Sequence, residues 1–264
     1  MGLCKDKSTN HLNRLGYNVV RHPREGLAPL ALVGRQNGNS AWLGQLDRIL
    51  ADPKPPPAVE KDLEAASVNG EESSKLDIGV GVDILGGLIG ALGGSLGVEA
   101  KYTDASKIAF VFEGVLSDRV EPMVVSNYLE GEALRPNSPL LGEYVLGNGE
   151  LFLVTETIKS NRFTVKFERE RGGGAEVKVP VIEKAVGAEV SVSASGANSS
   201  TITFEGEKLL SFGFRCFELG VIEGRLRLTI ARMGNLRFAV GGRPPAEGFA
   251  ILEDEGLLEL AEAA

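Results

Sequence analysis

Two stretches of the chain alternate apolar residues with polar or small ones, which is the period-two pattern of a β-strand that buries one face. The apolar positions of the first stretch are Leu76, Ile78, Val80, Val82 and Ile84. Those of the second stretch are Val186, Ala188, Val190, Val192 and Ala194. The pattern predicts a strand of nine residues at each place.

Each of these strands has a predicted antiparallel partner. The first is predicted to pair with residues 107–115, whose apolar positions are Ile108, Phe110 and Phe112. The second is predicted to pair with residues 175–183, whose apolar positions are Val177, Val179 and Val181. Each pair has one apolar face and one polar or small face, so the sequence predicts two amphipathic hairpins.

The rest of the pattern predicts a central sheet accompanied by short helices. Further strands are predicted over residues 17–21, 151–155, 163–167, 201–204, 209–217 and 225–230. Helices are predicted over residues 8–16, from Ser40 to Leu50 and from Ser117 to Leu129, with one turn near Val59 to Ala66 and an acidic helix or turn over 253–264. The Pro-rich stretch after residue 52 is expected to be a surface loop.

Glycine is unusually frequent, at 34 of 264 residues or about 13%, against a usual share of ~7%. Gly86, Gly90 and Gly94 recur at every fourth position in an uncharged run of 15 residues from Ile84 to Val98. A spanning helix needs ~20 apolar residues, so this run is too short to cross a membrane as a helix. The spacing allows close backbone packing, either in a segment that rearranges or in a tightly packed core helix or loop.

The sequence contains no recognisable catalytic motif, and we expect neither enzymatic activity nor a cofactor. A phosphate-binding loop is missing, and Gly79-Val80-Gly81 lacks the third glycine of a dinucleotide-binding fingerprint. The two histidines, His11 and His22, and the two cysteines do not have the spacing of metal ligands. A formal charge of −8 argues against general binding of nucleic acid, which requires basic surface.

Cys4 is a lone thiol near the start of the chain and is followed by Lys5 and Lys7. Neighbouring lysines favour the reactive thiolate, which makes Cys4 a candidate site of acylation. The alternative is an unmodified terminal cysteine. The first residues are too polar for a signal peptide, so folding in the cytoplasm is expected.

Charge is distributed unevenly between the two ends of the chain. Residues 1–24 carry a net charge of +4, and residues 244–264 carry −6 without any basic residue. Removal of the acidic end would change the formal charge from −8 to −2. This asymmetry is typical of an electrostatic switch at an anionic membrane, although an ordinary solvated terminal helix has the same composition.

The predicted hairpins have the length of tilted membrane strands, which need ~9–11 residues. A half-buried sheet in a water-soluble protein shows the same alternation, so the pattern alone leaves both interpretations open. Four strands do not close a barrel, and open strand edges are not tolerated in lipid. Insertion of the hairpins would therefore require many copies of the chain.

The opening of the chain carries a more specific signal. It reads Met1-Gly2-Leu3-Cys4, then Leu15-Gly16-Tyr17-Asn18-Val19-Val20-Arg21, then Pro23-Arg24-Glu25-Gly26 and Pro29-Leu30. In these residues, in its length and in its short tail after Gly242, the chain resembles the bacterial gasdermins. The resemblance implies an α+β fold with a twisted, mainly antiparallel central sheet and surrounding helices.

The resemblance also implies a pore-forming protein that its own C-terminus holds inactive. Residues 1–242 would form the pore-forming body and residues 243–264 an autoinhibitory tail. The tail residues expected to cover apolar surface of the body are Phe249, Ile251, Leu252, Leu257, Leu258 and Leu260. A partner protease, expected to be caspase-like, would cut in the flexible region that contains Gly241, Gly242, Arg243, Ala246, Glu247 and Gly248.

After the cut, the body would move from the cytoplasm to the anionic lipid of the inner membrane. There it would change from a monomer to a large homo-oligomer and refold both hairpins into a large β-barrel. Members of the family carry an N-terminal cysteine that becomes palmitoylated, and the matching residue here is Cys4. Death of the cell would limit the spread of phage.

Two other functions are compatible with the residues. A lipid-binding or interaction module would keep the hairpins in a soluble sheet and bind liposomes without causing leakage. An enzyme, such as a hydrolase, would need a nucleophile–base pair that the motifs do not reveal.

Overall fold

The computed structural model describes residues 12–13, 15–65, 107–130, 132–135, 139–144, 147–168, 189–196, 199–222, 225–229, 249–252, 258 and 260–262. The helices in the described part of the chain include α1 (Pro122–Glu130), α2 (Pro139–Tyr144) and a 3-10 helix (Leu46–Ile49). Its strands are β1 (Asn18–Arg24), β2 (Ala31–Gln36), β3 (Asn39–Gln45), β4 (Glu60–Glu64), β5 (Lys107–Glu113), β6 (Leu116–Arg119), β7 (Glu150–Glu168), β8 (Glu189–Gly196), β9 (Ser199–Ile222), β10 (Arg225–Thr229) and β11 (Leu260–Glu262). None of the described helices is both long and apolar enough to cross a membrane.

The strands form one sheet in which β1, β9, β7, β2, β3 and β11 follow one another in that order. Beside this path, β5 and β6 pair with β7, β4 pairs with β6, and β8 and β10 pair with β9. The pairs are antiparallel except for that of β11 with β3. The mainly antiparallel central sheet expected from the resemblance is thus confirmed.

The two central strands, β7 and β9, are longer than predicted. The strands predicted at 151–155 and 163–167 are one strand, β7, and those predicted at 201–204 and 209–217 are one strand, β9. The ladder between them shifts register between Val154 and Glu156 and at two further places. Each bulge changes which face a residue occupies, so the sequence alternation is interrupted although the strand continues.

The helix predicted from Ser40 is wrong, because Asn39–Gln45 forms strand β3. Asn37 and Gly38 have φ angles of 52° and 81°, and they join β2 to β3 where Gln36 pairs with Asn39. Positive φ at both central residues is the geometry of a tight hairpin turn, for which Asn-Gly is the favoured sequence. The apolar positions Trp42, Leu43, Leu46, Ile49 and Leu50 span this strand, the 3-10 helix and the residue after it.

The helical turn predicted near Val59 to Ala66 is also wrong, because Glu60–Glu64 forms strand β4 against β6. Asp62 has a φ of 57°, which no right-handed helix allows, and its N–H donates to Oδ1 of Asp118 at 2.9 Å. Nζ of Lys159 lies 2.9 Å from a carboxylate oxygen of Asp62 and 2.7 Å from one of Asp118. Pairing with β6 and these ion pairs override the helical preference of the local sequence.

The helix predicted from Ser117 to Leu129 begins only at Pro122. Residues 116–119 instead form β6, which lies between β4 and β7. Proline is favoured in the first turn of a helix, where its missing N–H would have no intrahelical partner. Pro122 therefore starts α1.

Two of the buried clusters in the described part of the chain show how the helices and the tail pack on the central sheet. The first packs α1 and the 3-10 helix on the sheet, with Val125, Leu129 and Leu153 among its members. The second surrounds Val154 and Phe214 and includes residues from the C-terminal tail. The tail is thus part of the hydrophobic core of the protein.

Candidate functional site

The tail, residues 243–264, is described at residues 249–252, 258 and 260–262. Residues 260–262 form β11, which pairs in parallel with residues 40–42 of β3. The acidic helix or turn predicted over 253–264 is therefore wrong at these three residues. A strand forms there because the edge of β3 offers backbone N–H and C=O groups that an extended segment satisfies.

The tail also contacts β1, which lies at the opposite end of the strand order. The N–H of Leu258 donates to the carbonyl oxygen of Val19 at 2.7 Å, and Leu258 forms a parallel bridge to Val20. Nη2 of Arg24 donates to the carbonyl oxygen of Leu260 at 2.9 Å. The sheet is therefore curled so far that the tail lies between its two ends, β1 and β3.

Asn18, the first residue of β1, binds the tail backbone through both atoms of its amide group. Its Nδ2 donates to the carbonyl oxygen of Ala250 at 2.9 Å, and its Oδ1 accepts from the N–H of Leu252 at 2.7 Å. The N–H of Ala250 donates to the carbonyl oxygen of Cys216 on β9 at 2.9 Å. Asn18 is 2% exposed, so water does not replace a lost partner there, and each unpaired group costs about 1–3 kcal/mol.

Four of the six apolar tail residues named from the sequence are buried in the structure. The buried ones, each 5% exposed or less, are Phe249, Leu252, Leu258 and Leu260. Ile251 is half-buried, and Leu257 lies outside the described residues. Burial of one such side chain contributes about 1.5–3 kcal/mol, so the tail is a substantial part of the resting structure.

Phe249 has the most specific surroundings among the tail residues. Its ring centroid lies 4.8 Å from that of Phe217, and Cζ of Arg215 lies 5.0 Å from it. A Cβ added at Gly16 would lie 2.9 Å from Cδ2 of Phe249. Gly16 also has a φ of 88°, so glycine is required there both for the turn and for the approach of the tail.

Arg215 connects the tail with residues near the start of the chain. Its Nη1 lies 2.8 Å from Oε2 of Glu156, and its Nε and Nη2 donate to the carbonyl oxygen of Leu15 at 2.9 and 2.6 Å. Its Cζ lies 4.2 Å from the ring centroid of Tyr17, whose hydroxyl donates to Glu156 at 2.7 Å. Burial and then the hydrogen bond to Glu156 raise the pKa of the Tyr17 phenol, which therefore remains a neutral donor.

Cys216 lies beneath the tail and is fully buried. Its Sγ lies 3.7 Å both from the carbonyl oxygen of Ala250 and from Nδ2 of Asn18. Burial raises the pKa of this thiol, so it stays protonated and unreactive while the tail is in place. From the sequence, the role of Cys216 is open and a buried structural thiol is the default expectation, but its position beneath the tail is not visible from any local motif.

These contacts define one surface, which we call the tail groove. It consists of Asn18–Val20 and Arg24 on β1, residues 40–42 on β3 and residues 215–217 on β9. Sequence reasoning identified the tail residues but missed the groove. Asn18 and Arg215 bind tail residues more than 30 positions away in the sequence, and that pairing depends on the curl of the sheet.

A second candidate element is a four-stranded ladder in the order β5, β7, β9, β8. Its register places apolar residues opposite one another in alternate rows. One row holds Phe112, Phe163, Phe204 and Val190, and another holds Phe110, Val165, Ile202 and Val192. The row beyond Phe112 holds Glu113, Arg162, Glu205 and Glu189. Because residues directly opposite share a face, the ladder has an apolar and a polar face.

This ladder adds two strands beside the hairpin strands predicted from the sequence, β7 beside β5 and β9 beside β8. The described neighbour of β5 is β7, and that of β8 is β9, so residues 162–168 and 199–205 belong to the amphipathic region. Alternation at 163–167 and 201–204 was visible in the sequence, but the register was not. The remaining predicted hairpin residues lie outside the described part of the chain: Leu76, Ile78, Val80, Val82, Ile84, Val177, Val179, Val181, Val186 and Ala188.

The candidate acylation and cleavage sites also lie outside the described residues. They are Cys4, and Gly241, Gly242, Arg243, Ala246, Glu247 and Gly248. Within the ranges that the structure describes, no three His, Cys, Asp or Glu side chains are placed to hold a metal ion.

Comparison with known proteins agrees with the resemblance in the sequence. The sequence model of the Bacterial Gasdermin Family matches residues 20–225 of this chain. A curated relative from Vitiosangium sp., named gasdermin bGSDM, is 43% identical and covers 98% of this chain and 99% of its own. A gasdermin bGSDM from a Desulfuromonadales bacterium is 33% identical over 96% of both chains. The solved structure of a bacterial gasdermin from Bradyrhizobium tropiciagri has the same fold, with a TM-score of 0.65, 17% identity, and coverage of 98% of this chain and 97% of its own.

Proposed function

This chain belongs to the bacterial gasdermin family, and from that premise we propose that it is a membrane pore-former that its tail holds inactive until a protease removes the tail. The observation that carries the proposal is the tail groove. The tail completes the sheet between β1 and β3 and buries Phe249, Leu252, Leu258 and Leu260. A body that depends on the tail for these contacts changes its surface when the tail leaves.

Cleavage would act through effective concentration. While the tail is covalently attached, its concentration at the groove is of millimolar order, and after a cut it falls to that of the free peptide. Loss of the tail would leave the edges of β1 and β3 unpaired and the core around Val154 and Phe214 uncovered. The body would then be free to associate with lipid and with other copies.

The amphipathic ladder is the part of the body that we propose to enter the membrane. In a barrel wall, apolar residues face lipid and polar residues face the lumen, which matches the rows of β5, β7, β8 and β9. Four strands per copy leave two open edges, so a closed barrel requires many copies. We propose that residues 76–84 and 175–183 extend this wall as the hairpins lengthen.

Several finer parts of the proposal come from family membership and the sequence. A palmitoyl group on Cys4 would add membrane affinity, although one acyl chain gives only marginal anchoring. The protease is proposed to be caspase-like and to cut between Arg237 and Leu252. The resting protein would be cytoplasmic, the active one a large homo-oligomer in the anionic inner membrane, and the outcome cell death that limits phage. Sequencing of the released tail checks the cut, and a first residue outside 238–253 would contradict it.

The test of the function is dye release from anionic liposomes. A site for a specific protease is placed between Arg243 and Gly248, and the folded full chain is compared before and after the cut. Leakage only after the cut is the expected result. Equal leakage before and after would reject the tail as a lock. Membrane binding of the folded, cut chain without leakage would favour a lipid-binding module instead of a pore.

A further inference from the structure

The tail groove has the contacts of a site for an extended peptide. Asn18 and Cys216 pair with the backbone of Ala250 and Leu252, at the first half of the tail. The backbone of residues 258 and 260–262, in the second half of the tail, pairs with Val19, Arg24 and residues 40–42. Addition of a strand at a sheet edge, with side-chain pockets beside it, is a common way for proteins to bind peptides.

We propose that the tail groove keeps its affinity for the tail after the chain is cut, so that a tail released from one copy binds the emptied groove of another and returns it to the inactive state. The ligand is an acidic, extended peptide with apolar residues spaced as in residues 249–262. This inference rests on the proposed function, in which the empty groove is the active state.

The contacts support binding without a covalent link, because they join residues 250, 252, 258 and 260–262 to the body directly. The backbone hydrogen bonds fix the register of the peptide, and the pocket around Phe249 selects its sequence. Arg24, which donates to the carbonyl oxygen of Leu260, puts a positive charge at the groove, and the peptide that binds there carries −6. Both halves of the groove are needed, which makes the complete tail the preferred ligand.

This property would set a concentration threshold for activation. The groove of an uncut copy is filled by its own tail, so released tails are left to the copies that have been cut. When the cut protein is more concentrated than the dissociation constant of the tail, most grooves are refilled. When it is more dilute, the tails leave and the bodies become active.

The binding test uses no membrane. The folded full chain is cut at the inserted protease site, the tail is removed by gel filtration, and a fluorescent peptide of residues 244–264 is titrated into the body. We expect saturable binding, with affinity at least about tenfold lower for a Phe249→Ala peptide. An Ala261→Ser peptide is the matched control, because Ala261 is exposed on β11, and its affinity should change about twofold or less. No binding, or equal binding of a scrambled peptide of the same charge, would overturn the inference.

A second measurement tests the inference in case the cut body unfolds once the tail has been removed from its groove. The uncut chain carrying Phe249→Ala and Leu258→Ala has a weakened tail of its own, and alkylation of Cys216 reports how often the groove opens. Added wild-type tail peptide should slow this alkylation about fivefold or more, whereas the scrambled peptide should not. An unchanged rate would overturn the inference.

The liposome assay separates failure of the inference from failure of the proposed function. Excess tail peptide should suppress leakage caused by the cut chain. Leakage that persists at saturating peptide would reject inhibition in trans and leave the pore-forming function standing. Specific peptide binding by a cut chain that never causes leakage would support the groove and reject the pore.

Discussion

Asn18 is the residue on which the tail contacts converge, because one side chain pairs with both Ala250 and Leu252. Asn18→Ala leaves the N–H of Leu252 unpaired and the carbonyl oxygen of Ala250 with only the weak thiol donor of Cys216, and we expect it to weaken tail attachment by roughly 2–4 kcal/mol. The uncut variant should therefore cause liposome leakage that the uncut wild type does not. Asn39→Ala, at an exposed residue after the β2–β3 turn, is the matched control and should behave as wild type. An uncut Asn18→Ala variant that keeps its tail bound and causes no leakage would show that the Asn18 amide is dispensable.

Cys216 provides a pH-dependent test of the same region. Its thiol has an ordinary pKa near 9.0, and burial raises the pKa in the folded state. A group with a raised folded pKa stabilises fully below its unfolded pKa and loses that contribution as the pH rises. We therefore expect the free energy of unfolding of wild type to fall above pH 9.0 by roughly 1.4 kcal/mol per pH unit relative to Cys216→Ala.

Urea unfolding of the two proteins from neutral pH upward measures this difference. The Ala variant has lost a buried side chain and will be less stable at every pH, so the slopes are compared and not the absolute values. Parallel slopes would mean that the thiol ionises as easily in the folded as in the unfolded chain, which its burial beneath Ala250 forbids.

At the scale of elements, the ladder of β5, β7, β9 and β8 predicts that the two faces of β5 differ in the pore. Phe110 lies in an apolar row, and Ala109 lies in the adjacent row opposite Lys166. Phe110→Asp would put a charge on the lipid face and should abolish leakage by the cut chain, whereas Ala109→Asp should retain most of it. Dye release is measured beside thermal unfolding of the uncut chains, so that a folding defect is recognised. Equal loss in both variants would contradict a two-faced wall.

The same ladder shows what the sequence could and could not predict. Period-two alternation found β5, β8 and parts of β7 and β9, because alternation follows directly from the geometry of a strand. It did not give their order or register, which depend on contacts between distant segments. The bulges between Val154 and Arg162 further broke one long strand into two apparent ones.

Two errors in the predicted elements have separate physical causes. Asn37-Gly38 is a strong hairpin signal, and weighing it against the helical spacing of Trp42, Leu46 and Ile49 would have identified β3. No comparable signal marks β4, where Asp62 takes a left-handed conformation supported by Asp118 and Lys159. That strand exists because of a tertiary contact, which local sequence does not encode.

The tail was predictable in composition and not in conformation. Its spaced apolar residues on an acidic background indicated burial, and Phe249, Leu252, Leu258 and Leu260 are buried. Its strand at 260–262 depends on the open edge of β3. The hydrogen bonds that hold residues 250 and 252 come from Asn18, more than 200 residues earlier in the chain. A segment too short to hold a conformation alone takes the one that its groove imposes.

At the scale of the whole molecule, two physical effects compete to explain how the tail keeps the protein off the membrane. One is charge, because tail removal changes the formal charge from −8 to −2 and weakens repulsion from anionic lipid. The other is occupation of the groove, which pairs the edges of β1 and β3 and covers the core. Proteolysis changes both at once and so does not separate them.

A full chain with amides in place of the tail carboxylates separates the two effects. The acids replaced by Gln or Asn are Glu247, Glu253, Asp254, Glu255, Glu259 and Glu262. The variant has the formal charge of the cut body, −2, but keeps the buried apolar residues and backbone hydrogen bonds of the tail. We expect it to sediment with anionic vesicles more than wild type does, and less so at about 0.5 M than at about 0.05 M salt, because salt screens exposed charges. It should nevertheless cause no leakage until it is cut, since the groove stays filled. Leakage from the uncut variant equal to that from the cut chain would make charge, and not the groove, the lock.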